Sequence, residues 1–126
     1  MKGAELTSGD QLVWVFFRLS GRISPAPYVL AGLLLFILRL FPLYRFTLAE
    51  MGSNAQTGWA LALWAAVLLT AWCNVALTAK RLHDFGKPAI WSLATLVFDL
   101  LVFFVLPFVR GDPGPNRYGS RTNAPA

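Results

Sequence analysis

The polar side chains in the middle of this chain are concentrated in residues 80–88, which read Lys-Arg-Leu-His-Asp-Phe-Gly-Lys-Pro and lie between long apolar runs. The adjacent His83 and Asp84 are residue types that can form a general base, because a carboxylate raises imidazole basicity. Neighbours in sequence need not face each other, however, and no serine or cysteine nucleophile lies nearby in the chain. The structural alternative, in which Asp84 caps a turn and His83 sits at the membrane interface, is favoured. We therefore assign no catalytic residue.

The same segment is rich in cations, and this property indicates an anion site. A third apolar run begins directly after it, and the free N–H groups of a helix N-terminus attract negative charge. The nearest anion to a protein of this composition is a phospholipid headgroup. The candidate residues for binding anionic phospholipid are Arg22, Lys80, Arg81, His83 and Lys87.

Metal and cofactor chemistry find little support in the sequence. There is one histidine, the carboxylates are scattered, and Cys73 is the only cysteine, so no ligand spacing for a metal and no intramolecular disulfide exist. We predict no metal and no cofactor. The cations flank the apolar runs, an arrangement that suits anionic headgroups better than a nucleic-acid groove, and we predict no nucleic-acid partner.

The composition predicts an all-α membrane protein. With 126 residues that are 56% hydrophobic and 13% charged, the chain has more apolar surface than a soluble core of this size would bury. Spans of about 21 residues, roughly 32 Å long, are enough to cross the hydrocarbon core. We predict a single membrane domain over residues 1–126, a bundle of three transmembrane helices at 28–48, 59–79 and 89–109, and a polar tail at 110–126.

Residues 11–19 and 21–27 precede the first span and differ in character. The first of these segments interleaves Trp14, Phe16 and Phe17 with charged residues, and this pattern suits either a short helix in the headgroup layer or a simple lead-in to the first span. The second contains a glycine and two prolines and is expected to break any helix.

Inside the predicted spans, two features indicate helix packing. Small residues recur at every fourth position of the second span, from Gly58 to Thr78, and allow a neighbouring helix to approach closely. Arg39 and Asp99 lie at equal distances from the starts of the first and third spans, so parallel helices would place them at one depth. Because an unpaired charge there is costly, we predict an Arg39–Asp99 contact, with Thr70 or Asn74 as hydrogen-bond neighbours.

The orientation follows from the loop cations. With three spans, six cations share the side of the N-terminus and the central loop, and four lie on the other side. This count favours a cytoplasmic N-terminus and places the tail outside.

Three motifs make the chain resemble a bacterial inner-membrane family known only as domain of unknown function 805. They occur in the family's order over residues 17 to 119, with apolar spans between them. The motif residues are Gly21, Arg22 and Ser24, then Arg81, His83, Asp84 and Gly86, then Gly114, Asn116, Arg117 and Tyr118. The resemblance implies a small multi-pass protein of the bacterial inner membrane, and it implies no catalytic residue, substrate or cofactor.

We therefore interpret the chain as a membrane protein that acts by interaction, either with anionic lipid headgroups or with a membrane-protein partner. One alternative is an oligomeric transport component in which Arg39, Asn74 and Asp99 line a polar path, with the small-residue stripe joining copies of the chain. Another is a membrane enzyme that acts on a lipid phosphate through His83 and Asp84.

Overall fold

The computed structural model describes residues 7–125, and within that range it contains helices and turns but no strand. Within that range three helical segments, Pro25–Leu48, Asn54–Asp84 and Ala89–Phe108, are long and apolar enough to cross a membrane, and a short helix precedes them. This result confirms the predicted all-α class. In chain order the α-helices are α1 (Ser8–Phe17), α2 (Pro25–Leu48), α3 (Asn54–Asp84) and α4 (Thr95–Val105), and 3₁₀ helices at Ala89–Ala94 and Leu106–Phe108 flank α4.

Helix α1 begins after a capping box. The Thr7 hydroxyl accepts from the Asp10 backbone N–H, and the Asp10 carboxylate accepts from the Thr7 backbone N–H. The helix buries Trp14, whose indole N–H donates to the Ser20 carbonyl at 2.8 Å. Its outward residues include Leu12 and other exposed apolar side chains.

Helix α2 begins at Pro25, inside the segment that was expected to break helices. That expectation was wrong for Pro25 and Pro27, because the first N–H groups of a helix need no partner within the helix. Pro42 lies further along, and α2 still continues to Leu48.

Helix α3 is longer than predicted. It ends at Asp84, so residues 80–84 form its last turn and not a loop. Its 31 residues are about 46 Å long, against roughly 30 Å for a hydrocarbon core. Every residue from Val75 to Asp84 is buried, so other parts of the protein enclose this end of the helix on all sides.

The third apolar segment, Ala89–Phe108, is not one continuous α-helix. It consists of the two 3₁₀ helices and α4, and the backbone leaves helical geometry at Phe98 (φ −120°, ψ 42°). Both of its ends bond to the last turn of α3. The Lys87 N–H donates to the Leu82 carbonyl at 2.9 Å, and the Asp112 N–H donates to the Asp84 carbonyl at 2.6 Å. The segment therefore leaves and returns to the same end of the bundle.

Contacts with α2 show the direction of α4. Asp99 reaches Arg39, whereas Phe103, one turn later, packs on Tyr28 with ring centroids 5.8 Å apart. A later residue of α4 thus contacts an earlier residue of α2, so these two helices are antiparallel. The parallel arrangement that we expected is wrong. The tail consequently lies at the same end as Gly21 and not at the opposite end. Length and apolar composition predict that a segment can span, but they do not show whether it turns back.

The core lies between α2, α3 and the end of α4. Its buried residues are Ile23, Tyr28, Ala31, Leu35, Cys73 and Leu77, with Phe103 and Leu106 packed against them. Three members of the small-residue stripe, Ala66, Thr70 and Thr78, are buried within this single chain. Gly32 allows the close approach of α4, because a Cβ at that position would overlap the Phe103 ring.

A polar cluster as the candidate functional site

The polar cluster lies at the end of α3 and consists of Arg22, Lys80, Arg81, His83 and Asp84 together with the tail residues Asp112, Asn116 and Tyr118. Five chain segments supply its contacts: the α1 end, the turn before α2, the last turn of α3, the end of the third apolar segment and the tail.

The turn that holds Arg22 is built on backbone contacts with the tail. Gly21 has φ 94°, a left-handed conformation that favours glycine, and a Cβ there would lie 2.5 Å from the Ala124 carbonyl oxygen. The Arg22 carbonyl accepts from the Asn123 N–H at 2.8 Å. The Asn123 side chain in turn accepts from the Ser24 N–H at 2.9 Å and donates to its hydroxyl at 3.0 Å.

The Arg22 guanidinium is buried and fully engaged. Its Nε donates to Asp84 Oδ1 at 3.1 Å. Its other nitrogens donate only to backbone carbonyls, namely those of Asp84, Asp112, Gly114 and Gly119. Five donors with five acceptors use the whole hydrogen-bonding capacity of an arginine.

Arg81 contacts the second oxygen of the same carboxylate. Its Nη1 donates to Asp84 Oδ2 at 2.8 Å and to the Ile23 carbonyl at 3.1 Å. Its remaining nitrogens donate to the carbonyls of Leu106 and Val109, where the third apolar segment returns. Asp84 is therefore held between two buried guanidinium groups, and this bridge joins three segments that are distant in sequence.

Lys80 ties α1 to the same end of α3. The side chain is buried, and its Nζ donates to the carbonyls of Trp14 at 2.8 Å and of Arg18. Its ammonium also lies 5.4 Å from the centre of the Trp14 ring, within the range of a cation–π contact. The Trp14 carbonyl also accepts from the Arg18 N–H at 3.3 Å, so Lys80 binds where the backbone leaves α1 after Phe17.

His83 and Tyr118 join α3 to the tail by stacking. Their rings are 4.0 Å apart at an angle of 4°. His83 Nδ1 lies 3.0 Å from the Gly21 carbonyl oxygen, and the Asn116 amide donates to the His83 carbonyl at 2.9 Å. The ring of His83 and the carboxylate of Asp84 thus have separate partners and do not form the arrangement of a general-base pair.

Close packing at this point also requires a glycine. A Cβ at Gly111 would overlap the Asp84 carboxylate, so the tail backbone passes directly against the bridge. Gly86, with φ 81°, lets the chain turn sharply after α3, and its N–H donates to the His83 carbonyl at 3.1 Å.

A family model described as "Protein of unknown function (DUF805)" matches residues 16–120. The chain belongs to this family. No curated protein and no solved structure matches it significantly.

The three motifs of the DUF805 chain, although far apart in sequence, meet in the polar cluster. Ten of their residues contact the cluster or shape its turns, and Arg117 lies on the outside of the Tyr118 ring at 4.9 Å. Sequence reasoning found the motif residues but not the role of the tail. The tail's spaced glycines and asparagines, which favour irregular turns with free carbonyls, were the available signal.

The burial of the DUF805 chain separates the predicted anion-binding residues. Arg22, Lys80, Arg81 and His83 are buried, and only Lys87 is exposed. The exposed cations that the structure describes at this end form a set that we call the cationic rim: Arg18, Lys87, Arg110, Arg117 and Arg121. Sequence reasoning placed three of these on the opposite side, because it counted the third apolar segment as a full crossing.

The intramembrane residues of the DUF805 chain meet as well. Arg39 Nη1 donates to Asp99 Oδ2 at 2.8 Å, and the guanidinium lies over the Phe36 ring at 4.9 Å. Thr70 instead donates to the Ala66 carbonyl of its own helix at 2.7 Å. Within residues 7–125, neither Thr70 nor Asn74 hydrogen-bonds to the pair.

In the described part of the DUF805 chain, no three histidine, cysteine or acidic side chains are grouped in a way that would hold a metal ion. The contacts of the polar cluster itself are hydrogen bonds and charge pairs.

Proposed function

We propose that this DUF805 protein is an integral protein of the bacterial inner membrane and acts there by binding anionic phospholipid headgroups through its cationic rim. The observation that carries the proposal is the charge at one end of the molecule. Among residues 7–125, five exposed cations lie there beside two exposed acids, Asp10 and Asp112. Each cation near an anionic bilayer surface contributes about 1 kcal/mol to attraction.

The polar cluster supports this proposal by holding the rim in place. Arg18 is tied through its carbonyl to Lys80, and Arg117 packs on the Tyr118 ring that stacks on His83. A rim carried by joined segments loses less conformational freedom on binding than separate flexible loops would. The sequence assigned lipid binding to residues that are mostly buried. We assign it instead to the exposed cations around them.

We also propose that the rim faces the cytoplasm. With the tail at the same end as α1, eight cations within residues 7–125 lie at this end, whereas the other end, where α2 meets α3, has Arg45 alone, in the last turn of α2. Arg39, inside α2, counts for neither end. Eight cations at one end against one at the other favour a cytoplasmic rim more strongly than the six against four counted from the sequence. The reason is that flanking cations are retained on the cytoplasmic side during insertion.

Native mass spectrometry of the detergent-solubilised protein tests the lipid proposal. We expect phosphatidylglycerol to bind several-fold more tightly than phosphatidylcholine at low salt, with the preference reduced by salt. The triple variant Arg110→Gln, Arg117→Gln, Arg121→Gln should lose most of it, since each cation contributes at most roughly fivefold to the attraction. Arg45→Gln is the matched control and should keep the preference. Equal binding of the two lipids by the unaltered protein would contradict the proposal.

Cysteine labelling in spheroplasts tests the orientation, using Cys73→Ala as the background. A membrane-impermeant thiol reagent should label Met51→Cys, which is exposed in the α2–α3 connection, in intact spheroplasts. It should label Ser120→Cys only after lysis. Labelling of Ser120→Cys from outside would place the rim on the wrong face, and the lipid measurement would be unaffected by that result.

The other functional hypotheses receive less support from the geometry. A transport path would need Arg39, Asn74 and Asp99 to line one polar passage, and within residues 7–125 Asn74 makes no hydrogen bond to the Arg39–Asp99 pair, whose groove is lined mainly by apolar side chains. A lipid-phosphate enzyme would use His83 and Asp84, whose partners are Gly21, Tyr118 and two arginines. A third hypothesis is that the protein binds another membrane protein or a second copy of itself. The cationic rim or the outer faces of the helices would then form the contact.

A further inference from the structure

A groove of about 260 Å³ lies beside the Arg39–Asp99 pair, within the part of the bundle that the bilayer surrounds. Helices α2, α3 and α4 all contribute to it. Its apolar lining comprises Phe36, Leu40, Leu43, Leu63, Val67 and Leu100. It opens toward the lipid, since Leu40 and Leu43 are exposed.

The ion pair at this groove has unused hydrogen-bonding capacity. Arg39 donates through Nη1 to Asp99 Oδ2, whereas within the described part of the chain neither its Nε, which is buried, nor its Nη2, which is not, has a hydrogen-bond partner. By contrast, Arg22 has an acceptor for each of its five N–H groups. A polar group without a partner is costly away from water, so a molecule that supplied acceptors here would be bound favourably.

The depth of the pair restricts what can reach it. Arg39 lies 14 residues after Pro25 and nine before Leu48, which corresponds to about 21 Å and about 14 Å along α2. A phospholipid headgroup stays at the bilayer surface and does not reach this level. The ligand must itself dissolve in the hydrocarbon layer.

Charge and size restrict the ligand further. One cation and one anion form the polar wall, so a neutral dipolar group is favoured over a charged one, which either Asp99 or Arg39 would repel. An apolar cavity of about 150 Å³ holds benzene, so this groove has room for a single substituted ring. We propose that the groove binds a neutral, lipid-soluble quinone or phenol, whose ring oxygen accepts from Arg39 and whose alkyl chain extends into the bilayer.

Photolabelling tests this proposal. The protein in phosphatidylcholine nanodiscs would be illuminated with an azido-substituted benzoquinone bearing a decyl chain, and labelled peptides would be located by mass spectrometry. We expect saturable labelling of peptides from α2 and α4 around Arg39 and Asp99. Unlabelled decylbenzoquinone or 4-decylphenol should compete, whereas decane and decanoate should not.

Groove-filling variants make the test specific. Leu63→Trp should reduce labelling at least tenfold, and Leu40→Trp should do the same from the facing helix. Leu61→Trp is the matched control, because Leu61 lies on α3, is exposed to lipid and does not line the groove. All three variants should keep the helical circular dichroism of the unaltered protein. If one of the two groove variants does not fold, the other is compared with Leu61→Trp.

Several results would overturn the proposal. Labelling that does not saturate, or that Leu63→Trp and Leu40→Trp leave unchanged, would show that the probe is merely dissolved in the bilayer. Equal competition by decane would make the groove a seat for a lipid chain, and stronger competition by decanoate would make it a site for anions. A change of oligomeric mass in Leu63→Trp, measured by light scattering, would show that a second copy of the chain fills it.

Discussion

The two places where arginine meets aspartate in this protein differ in how completely their polar atoms are used. At the Asp84 bridge, the three side chains of Arg22, Arg81 and Asp84 are 0–5% exposed, and the arginines also donate to backbone carbonyls. At the Arg39–Asp99 pair, the side chains are 24% and 32% exposed and share one hydrogen bond. The first arrangement is that of a structural tie, and the second has capacity left for a ligand.

Backbone conformation explains the difference. The bridge lies where helices end and the tail makes irregular turns, so free carbonyls are abundant and aim at the guanidinium groups. The Arg39–Asp99 pair lies within α2 and α4, where most carbonyls accept from N–H groups of their own helix. An arginine inside a helical bundle therefore depends on side chains and ligands for its acceptors.

Removing the carboxylate at the bridge should have the largest effect on stability. Asp84→Asn leaves two buried guanidinium groups close together without a counter-charge, and the loss of one partner of a buried pair costs about 3–5 kcal/mol. We expect a large shift in the SDS-induced unfolding midpoint, or no folded protein at all. Asp112→Asn is the control, since Asp112 is exposed and an amide oxygen can still accept from Asn116. Equal shifts of the unfolding midpoint in the two variants would show that the Asp84 bridge does not stabilise the fold.

Breaking the intramembrane pair should have an intermediate effect. Asp99→Arg or Arg39→Asp leaves two like charges in the hydrocarbon layer, where an unpaired charge costs about 2.5–3.5 kcal/mol on insertion scales. The double variant Arg39→Asp with Asp99→Arg restores opposite charges and should recover expression and thermal stability that each single change loses. If the double variant is as unstable as the singles, the pair does not contribute through its charge.

Sequence reasoning predicted the helices and the Arg39–Asp99 contact partner, and the reasons for its errors are physical. Hydropathy reports which residues avoid water, so it identified the apolar runs of α2, α3 and the third segment. It contains no information on whether a run crosses the bilayer or returns. That outcome depends on hydrogen bonds between the tail and the last turn of α3, such as Asp112 N–H to the Asp84 carbonyl, between residues that no pattern connects.

The candidate site shows the same limit. The motifs identified Arg22, Arg81 and Asp84 as special, but charge alone suggested an exposed anion site. Their burial follows from carbonyls in the tail, whose positions depend on turns at Gly114 and Gly119. Cationic residues at the end of an apolar helix can therefore bind either lipid headgroups or backbone carbonyls. Nearby turns with free carbonyls favour the second.

The ring stack at the edge of the polar cluster should give the smallest effect, and it sharpens the comparison because its contribution comes from packing and not from charge. Tyr118→Leu removes the stack on His83, and an aromatic pair of this kind contributes about 0.5–1.5 kcal/mol beyond its area. We expect a small fall in the SDS unfolding midpoint. Tyr118→Phe keeps the ring and should be close to neutral, since the stack does not use the hydroxyl. A loss in Tyr118→Phe as large as in Tyr118→Leu would show that the hydroxyl, rather than the ring, carries the contact. Because the ring also supports Arg117 of the cationic rim, Tyr118→Leu should weaken phosphatidylglycerol binding as well, by less than the fivefold expected from removing the Arg117 charge itself.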